Sequence, residues 1–402
     1  MKPMHVPAKH PGVLILDGNQ RSALAATRSL GRRGIPVTVA DETRRSLAGS
    51  SRYCRESFSY PSPTERPDDF LAAVQHHAAT RAVRVILPMT EVSAYLLARN
   101  RERLAPAVVP LPDADNWDQI ADKCRLLQVA KQLQVPAPTT LFPANADELV
   151  AAAEHIGFPV VLKPCRSKVW NRNRCTATAV HIVHNLSHLH ALTAAHGYLR
   201  DFPLAVQTHV PGSGLGVFAL YNHGKAIAFF AHRRIREKPP RGGVSVLSES
   251  VAVRADLQTY TARLLDHARW HGVAMVEFRG TEDGIPHLME INPRFWGSLQ
   301  LAIDSGIDFP GLLYDLALGN PPAPPAAYHT GIRSRWLLGD LDRLYLVLRN
   351  RERGGTDVSR FREILRFMNF FDRNTRFEIN RFGDLRPFLF ELRHYLGQLI
   401  FS

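Results

Sequence analysis

The chain has 402 residues, 45% hydrophobic and 22% charged, the make-up of a folded globular protein with two or three domains rather than one core. Its formal net charge is +13, but the basic residues are dispersed and no nucleic-acid-binding motif accompanies them, so no nucleic acid partner is expected. No run comes near roughly 18 apolar residues, which predicts no membrane-spanning helix, and the short basic start, 1–11, lacks the apolar stretch of a signal peptide.

The four cysteines, Cys54, Cys124, Cys165 and Cys175, have no zinc-type pairing, and reduced thiols in a cytoplasmic protein are the expectation. Lysine is scarce: 42 of the 50 basic residues are arginine. A lysine at a motif position therefore says more here than an arginine does.

In chain order, 13–17 reads as a buried strand, Gly18-Asn19-Gln20 as a loop and 22–30 as a helix closed by Gly31 and Gly34. A strand at 35–40, another at 83–88, a helix at 91–103 and a strand at 108–111 continue the alternation, which predicts a parallel sheet wound in the Rossmann manner. The first loop lacks Gly-x-Gly-x-x-Gly, which disfavours a dinucleotide oxidoreductase. Ligands sit at the carboxyl ends of such strands, where Asn19, Gln20, Arg21, Thr90 and Glu91 fall. Each is equally readable as a helix cap or a solvated loop residue.

From Trp117 the pattern changes. Asp122-Lys123 opens a helix running to Gln134, and Asn145 caps another over 146–156. The strand 158–164 ends in Lys163, which alone is an edge residue reaching for water or a ligand for an anion. The stretch 166–174 carries arginine, lysine and asparagine but no glycine. Next, 204–214 is an extended segment that turns at Pro211-Gly212-Ser213-Gly214. The densest positive stretch, 231–245, ends in Gly242-Gly243, whose permissive backbone can bring N–H groups close to phosphate oxygens.

The most informative stretch is 275–294. Asp283-Gly284 is a strong two-residue hairpin signal. With that turn Glu277 lies opposite Glu290 and Asn292 opposite Met275 on one face, with Val276, Phe278, Met289 and Ile291 on the other. At about 5 Å and an effective dielectric of about 20, the two carboxylates repel by roughly 3 kcal/mol. A hard divalent cation reverses that sign, and carboxylate plus amide oxygens are what Mg²⁺ prefers. Leaning apart into solvent is the alternative for such a pair. Arg294, following at once, suits a metal–phosphate site.

Val-Glu-Phe followed by Met-Glu-Ile-Asn-Pro-Arg resembles the magnesium-binding end of the ATP-grasp superfamily, and the resemblance extends over about 10–320. It implies an α/β fold with a Rossmann-like pre-ATP-grasp domain at 1–116 and a two-lobed ATP-grasp domain at 117–320. The small lid lobe falls at about 135–205, and a Pro-rich linker and helical appendage fill 321–402. The implied cofactors are ATP and Mg²⁺, with Mn²⁺ as a substitute. Lys123 and Lys163 hold the phosphates and Glu277, Glu290 and Asn292 the metal, while Arg294 and Lys163 act at the reacting group.

The segment with Gln207, Thr208 and Val210 resembles the hinge between lobes, where main-chain groups at Thr208 and Val210 read adenine. There Thr208 and His209 replace the glutamate and aromatic usual in the family. Gly242 and Gly243 resemble the glycine loop preceding the core helix in carbamoyl-phosphate-synthase-like members. The implied activity is ATP-dependent joining of a small-molecule carboxylate to an amine through an acyl phosphate. Phosphorylation of a small carboxylate such as bicarbonate, or ATP binding without turnover, are the alternatives. For 331–402, a packed helical region and docking on an anionic membrane surface both stand open, as does a homodimer.

Overall fold

The computed structural model describes residues 10–166, 168–171, 174–240, 243–281, 284–349, 357–370 and 372–401. Its first sheet is parallel, ordered β3-β2-β1-β4, from β1 (Gly12–Ile15), β2 (Val37–Asp41), β3 (Glu56–Ser59) and β4 (Val83–Leu87). Helices α1 (Arg21–Arg32), α2 (Pro67–Thr80) and α3 (Glu91–Arg99) alternate with the strands. Both faces of β1 are covered, so its apolar run is continuous rather than alternating. Val13 and Ile15 feed a core with Leu24 and Leu30, while Leu14 and Leu16 feed one with Phe70 and Leu97. Asp17, at the carboxyl end, accepts the backbone N–H groups of Met89 and Thr90 at 2.8 Å and the Ser93 hydroxyl at 2.5 Å. One buried carboxylate thereby ties together the two loops at the carboxyl ends of β1 and β4.

Helices α4 (Ala114–Ala121) and α5 (Lys123–Gln132) follow, the latter capped by Asp122, which accepts from the N–H groups of Cys124 and Arg125. An antiparallel sheet, ordered β5-β10-β6-β9, comprises β5 (Thr140–Leu141), β6 (Val160–Pro164), β9 (His181–Val183) and β10 (Leu204–Thr208). Around it lie α6 (Ala146–Ile156), α7 (Leu186–Ala195) and the short α8 (Tyr198–Asp201); Leu149, Ala153 and Leu189 close a separate core over Val160, Leu162 and Val206. A two-stranded hairpin, β7 (Lys168–Asn171) and β8 (Arg174–Ala177), projects from the same region. Ser167, Arg172 and Asn173 of the glycine-free stretch lie outside the described residues.

The expectation of reduced thiols is corrected here: Cys124 and Cys165 form a disulfide. They are 41 residues apart, but the Lys123 N–H donates to the Cys165 carbonyl at 2.9 Å, so the start of α5 abuts the end of β6. Sequence spacing carries no trace of that contact.

The largest sheet has seven strands, ordered β15-β14-β11-β12-β13-β16-β17. These are β11 (Ser213–Asn222), β12 (Lys225–Lys238), β13 (Val244–Val251), β14 (Gly272–Gly280), β15 (His287–Asn292), β16 (Arg333–Arg335) and β17 (Thr375–Phe377). On one face Val217, Ala219 and Tyr221 pack with Leu264 of α9 (Ala255–His267). On the other, Phe218 and Leu220 pack with Trp296, with α10 (Leu299–Asp304) and with Phe309 of α11 (Phe309–Ala317), in the core shared with α1.

The region beyond the Pro-rich linker is helical as expected over α12 (Leu337–Arg349), α13 (Asp357–Met368) and α14 (Arg386–Phe401). It also adds β16 and β17 to the large sheet, so it is built into the body rather than hung from it. Among the described residues no helix is long and apolar enough to cross a membrane.

Candidate active site

β14 and β15 pair as the sequence spacing predicts at three positions, Met275 with Asn292, Val276 with Ile291 and Glu277 with Glu290. The register then shifts between Glu277 and Phe278, so that Phe278 faces Leu288 and the ladder ends at Arg279 with His287. The uninterrupted ladder expected of an Asp283-Gly284 turn therefore does not form. The Gly284 N–H reaches back to Thr281, while Asp283 lies outside the described residues. The outer edge of β15 is engaged, with the Leu288 N–H donating to the Pro136 carbonyl at 2.8 Å. The bulge puts Leu288, not the expected Met289, into the core beside Phe278. It also turns the Met289 carbonyl to where Lys163 Nζ donates to it.

Around the two carboxylates the charges interlock. Arg234 Nη2 bonds Glu277 Oε2 at 2.7 Å, and Lys123 Nζ lies 3.3 Å from Glu290 Oε2. The remaining oxygens, Glu277 Oε1 and Glu290 Oε1, converge on one amide nitrogen, Asn292 Nδ2, at 3.2 and 3.3 Å. Asn292 Oδ1 in turn accepts from Arg294 Nη2 at 3.2 Å. Burial, with Glu290 nearby, pushes the Glu277 carboxyl up, against the pull of Arg234. Burial acts on Glu290 the same way, but Lys123 and Lys163 outweigh it and bring that carboxyl down to about 2. Lys163 is almost wholly buried, and burial lowers its pKa.

These residues fit a divalent cation. Two carboxylate oxygens already point at one place, with only an amide group there, and turning that amide over presents a third oxygen. The cations Arg234, Lys123, Lys163 and Arg294 outnumber the carboxylates Glu237, Glu277 and Glu290 by one. The surplus suits an anionic ligand beside the metal.

Arg234 escaped notice as an individual residue within the basic stretch. It sits on β12, two strands from Glu277, and reaches it across β11. It crosses at the bare backbone of Gly214: a Cβ there would lie 3.6 Å from Arg234 Nη1. Two glycines inside one strand, Gly214 and Gly216, were the available signal, because strand glycines mark close approach.

The glycine pair meets a correction. Gly243 precedes strand β13, not a helix. A Cβ there would come within 2.3 Å of the Lys238 carbonyl, so the position is a tight turn between β12 and β13. Its own carbonyl accepts from Arg234 at 3.4 Å, and Gly242 lies outside the described residues. In the hinge segment, Gln207 is buried and donates to the Thr140 hydroxyl at 2.9 Å. The Thr208 N–H donates to Thr139 and the Val210 carbonyl accepts from Arg279 at 3.0 Å. The Thr208 carbonyl and the Val210 N–H stand outside those bonds.

Arg294 also lines a cavity of about 1070 Å³, where the carboxyl ends of the parallel sheet meet the large sheet and the C-terminal region. Asn19, Gln20, Arg21, Thr90 and Glu91, picked out as strand-end residues, all line it. Some have structural duties as well: Thr90 caps α3, and Arg21 pairs with Glu378 at 2.5 Å. The walls from Trp336, Phe390, Glu391 and His394 had no signal in the sequence.

A family model described as "ATP-grasp in the biosynthetic pathway with Ter operon" matches residues 201–339. The carbamoyl phosphate synthase large chain of Pasteurella multocida (strain Pm70) is 25% identical over 194 residues, covering 45% of this chain and 17% of that one. The chain thus spans less than a fifth of that relative's length. In fold it is similar to N5-carboxyaminoimidazole ribonucleotide synthetase in its ADP complex, at TM-score 0.64 and 16% identity over 85% of each chain. The L-amino acid ligase from Bacillus licheniformis gives TM-score 0.61 and 16% identity over 78% of this chain and 75% of that one.

Proposed function

We propose that this chain, which belongs to the ATP-grasp superfamily, is an ATP-dependent carboxylate–amine ligase that forms an acyl phosphate and releases ADP and phosphate. The observation that carries the reading is the convergence of Glu277, Glu290 and Asn292 on one point, ringed by Lys123, Lys163, Arg234 and Arg294. A carboxylate is a poor acyl donor because oxide is a poor leaving group. Phosphoryl transfer converts it to an acyl phosphate, from which phosphate departs as an amine attacks.

Such chemistry asks the protein for position and charge rather than for a covalent nucleophile. Lys123 and Lys163 offset phosphate charge, and their burial makes each contact stronger than it is in water. Arg294, bonded to Asn292 and facing the large cavity, steadies the transferred group or the acyl phosphate. The Thr208 carbonyl and Val210 N–H read the base, with Gln207 holding that strand in place. The sheet holding β6 and β10 acts as the lid lobe, at about 135–205, between a pre-ATP-grasp unit at 1–116 and the large sheet. Held by Glu277, Glu290 and Asn292, a Mg²⁺ ion would lower the charge on the β and γ phosphate oxygens.

The test is an ADP-release screen over pairs of amino acids, with mass spectrometry of the products. With the acid labelled in its carboxylate by ¹⁸O, label is expected in released phosphate, because that oxygen attacks the γ-phosphorus. AMP and pyrophosphate as products overturn the mechanism.

A further inference from the structure

Four charged side chains line the large cavity and take no oppositely charged partner among the described residues: Arg45, Glu91, Arg294 and Glu391. In the same cavity Arg21, by contrast, is paired with Glu378. Two cations and two carboxylates in one cavity that do not pair with each other are held apart by the fold. Glu391 is the most constrained. Its Oε1 accepts from Trp336 Nε1 at 2.6 Å, while its Oε2 is buried with no hydrogen-bond partner. Burial pushes its carboxyl up to about 7 against the Trp336 hydrogen bond and the pull of Arg21, which is itself ion-paired with Glu378. The free Oε2 therefore has room for a positive nitrogen of its own. Both Glu391 and the neighbouring Phe390 lie on α14, beyond the stretch matched by the family model.

We propose that this cavity binds a zwitterion, a common α-amino acid, with its carboxylate at Arg45 and its ammonium at Glu391, leaving Arg294 to the acyl phosphate. The C-terminal region is then the specificity wall of the acceptor site, with Phe390 beside the amino acid's side chain. This rests on the ligase reading only for the word acceptor; binding itself needs no turnover.

The experiment is calorimetric titration of the full chain, held with Mg²⁺ and ADP, with each of the common amino acids. The N-acetyl and methyl-ester forms of any binder serve as charge-deleted probes, and ADP binding reports that each variant is folded. At least one amino acid is expected to bind, and each cap should weaken it by about tenfold or more. Glu391→Gln should match the loss caused by N-acetylation, and Arg45→Gln that caused by esterification. Binding of the N-acetyl form as tight as the free amino acid overturns the proposal. Full affinity in Glu391→Gln, or no binding by any common amino acid, does the same. Amino acid binding without ADP release would break the ligase reading and leave this one standing.

Discussion

Arg28 on α1 and Asp384 just ahead of α14 meet at 2.8 Å, each side chain 1% exposed, and every nitrogen and oxygen of the two charged groups has a partner. The guanidinium also donates to the carbonyls of Glu378, Ile379 and Asp384, and the carboxylate also accepts from Ser51 and the Arg52 N–H. At the β14–β15 hairpin the same residue classes are arranged differently. Two carboxylates face each other, a single amide spans them at 3.2 and 3.3 Å, and Lys163 donates to a carbonyl instead of to either acid. A buried ion pair stabilises a fold only when its remaining donors and acceptors are satisfied, and the first cluster meets that condition. The second leaves like charges converging with room between them, which a fold tolerates where a ligand completes the set.

Breaking the first cluster gives the largest effect. Arg28→Met leaves Asp384 buried without its cation and should cost about 3–5 kcal/mol of stability, read from denaturant midpoints. A loss below about 1 kcal/mol would mean that the cluster is no more than packing. Glu290→Gln should instead strike function, lowering ADP release about 10²–10³-fold, the usual range for removing one preorganised charge. Near-normal rates in a kinetic assay at ordinary Mg²⁺ would turn the hairpin into a second structural cluster.

Lys163→Met should weaken nucleotide binding by about 10–100-fold, the value of one charge-assisted contact. Unchanged affinity by calorimetry would assign Lys163 to its Met289 contact alone. The smallest effect sharpens the comparison with a buried group that belongs to neither cluster. His232 is 1% exposed, bonds Ser298 at 3.2 Å, and burial lowers its pKa to about 3. Unfolded, it takes a proton near pH 6.5, so stability should fall as pH drops from about 6.5 to 3, by about 1 kcal/mol per unit. His232→Leu should flatten that slope, and equal slopes in urea titrations would count against the assignment.

The pairing of Glu277 with Glu290 was legible because strand side chains alternate with period two and three consecutive pairs followed the count. The bulge after Glu277 was not, since it breaks that period inside the strand, and the Pro136 carbonyl that Leu288 bonds beside it lies far outside the hairpin. Lys123 and Lys163 stood out by residue type in a lysine-poor chain, and both reach the hairpin. Arg234 did not stand out, being one arginine among many, and its meaning lies in a reach across Gly214 that no window of sequence contains. The Gly242-Gly243 reading went astray because a glycine pair before a helix and one in a strand-to-strand turn look alike in sequence.

By itself the sequence determined the local patterns: a buried parallel strand at Val13–Leu16, the capped helix after Asp122, and two acids and an amide on one face of a hairpin. Each depends on residues a few positions apart, where periodicity and capping act directly. Only the tertiary structure decided what joins across long separations. Cys124 meets Cys165, Arg28 meets Asp384, and Glu391 and Trp336 close a cavity opened by loops some 300 residues earlier. Those contacts come from packing whole sheets and helices against one another, and packing selects partners by shape and burial rather than by spacing.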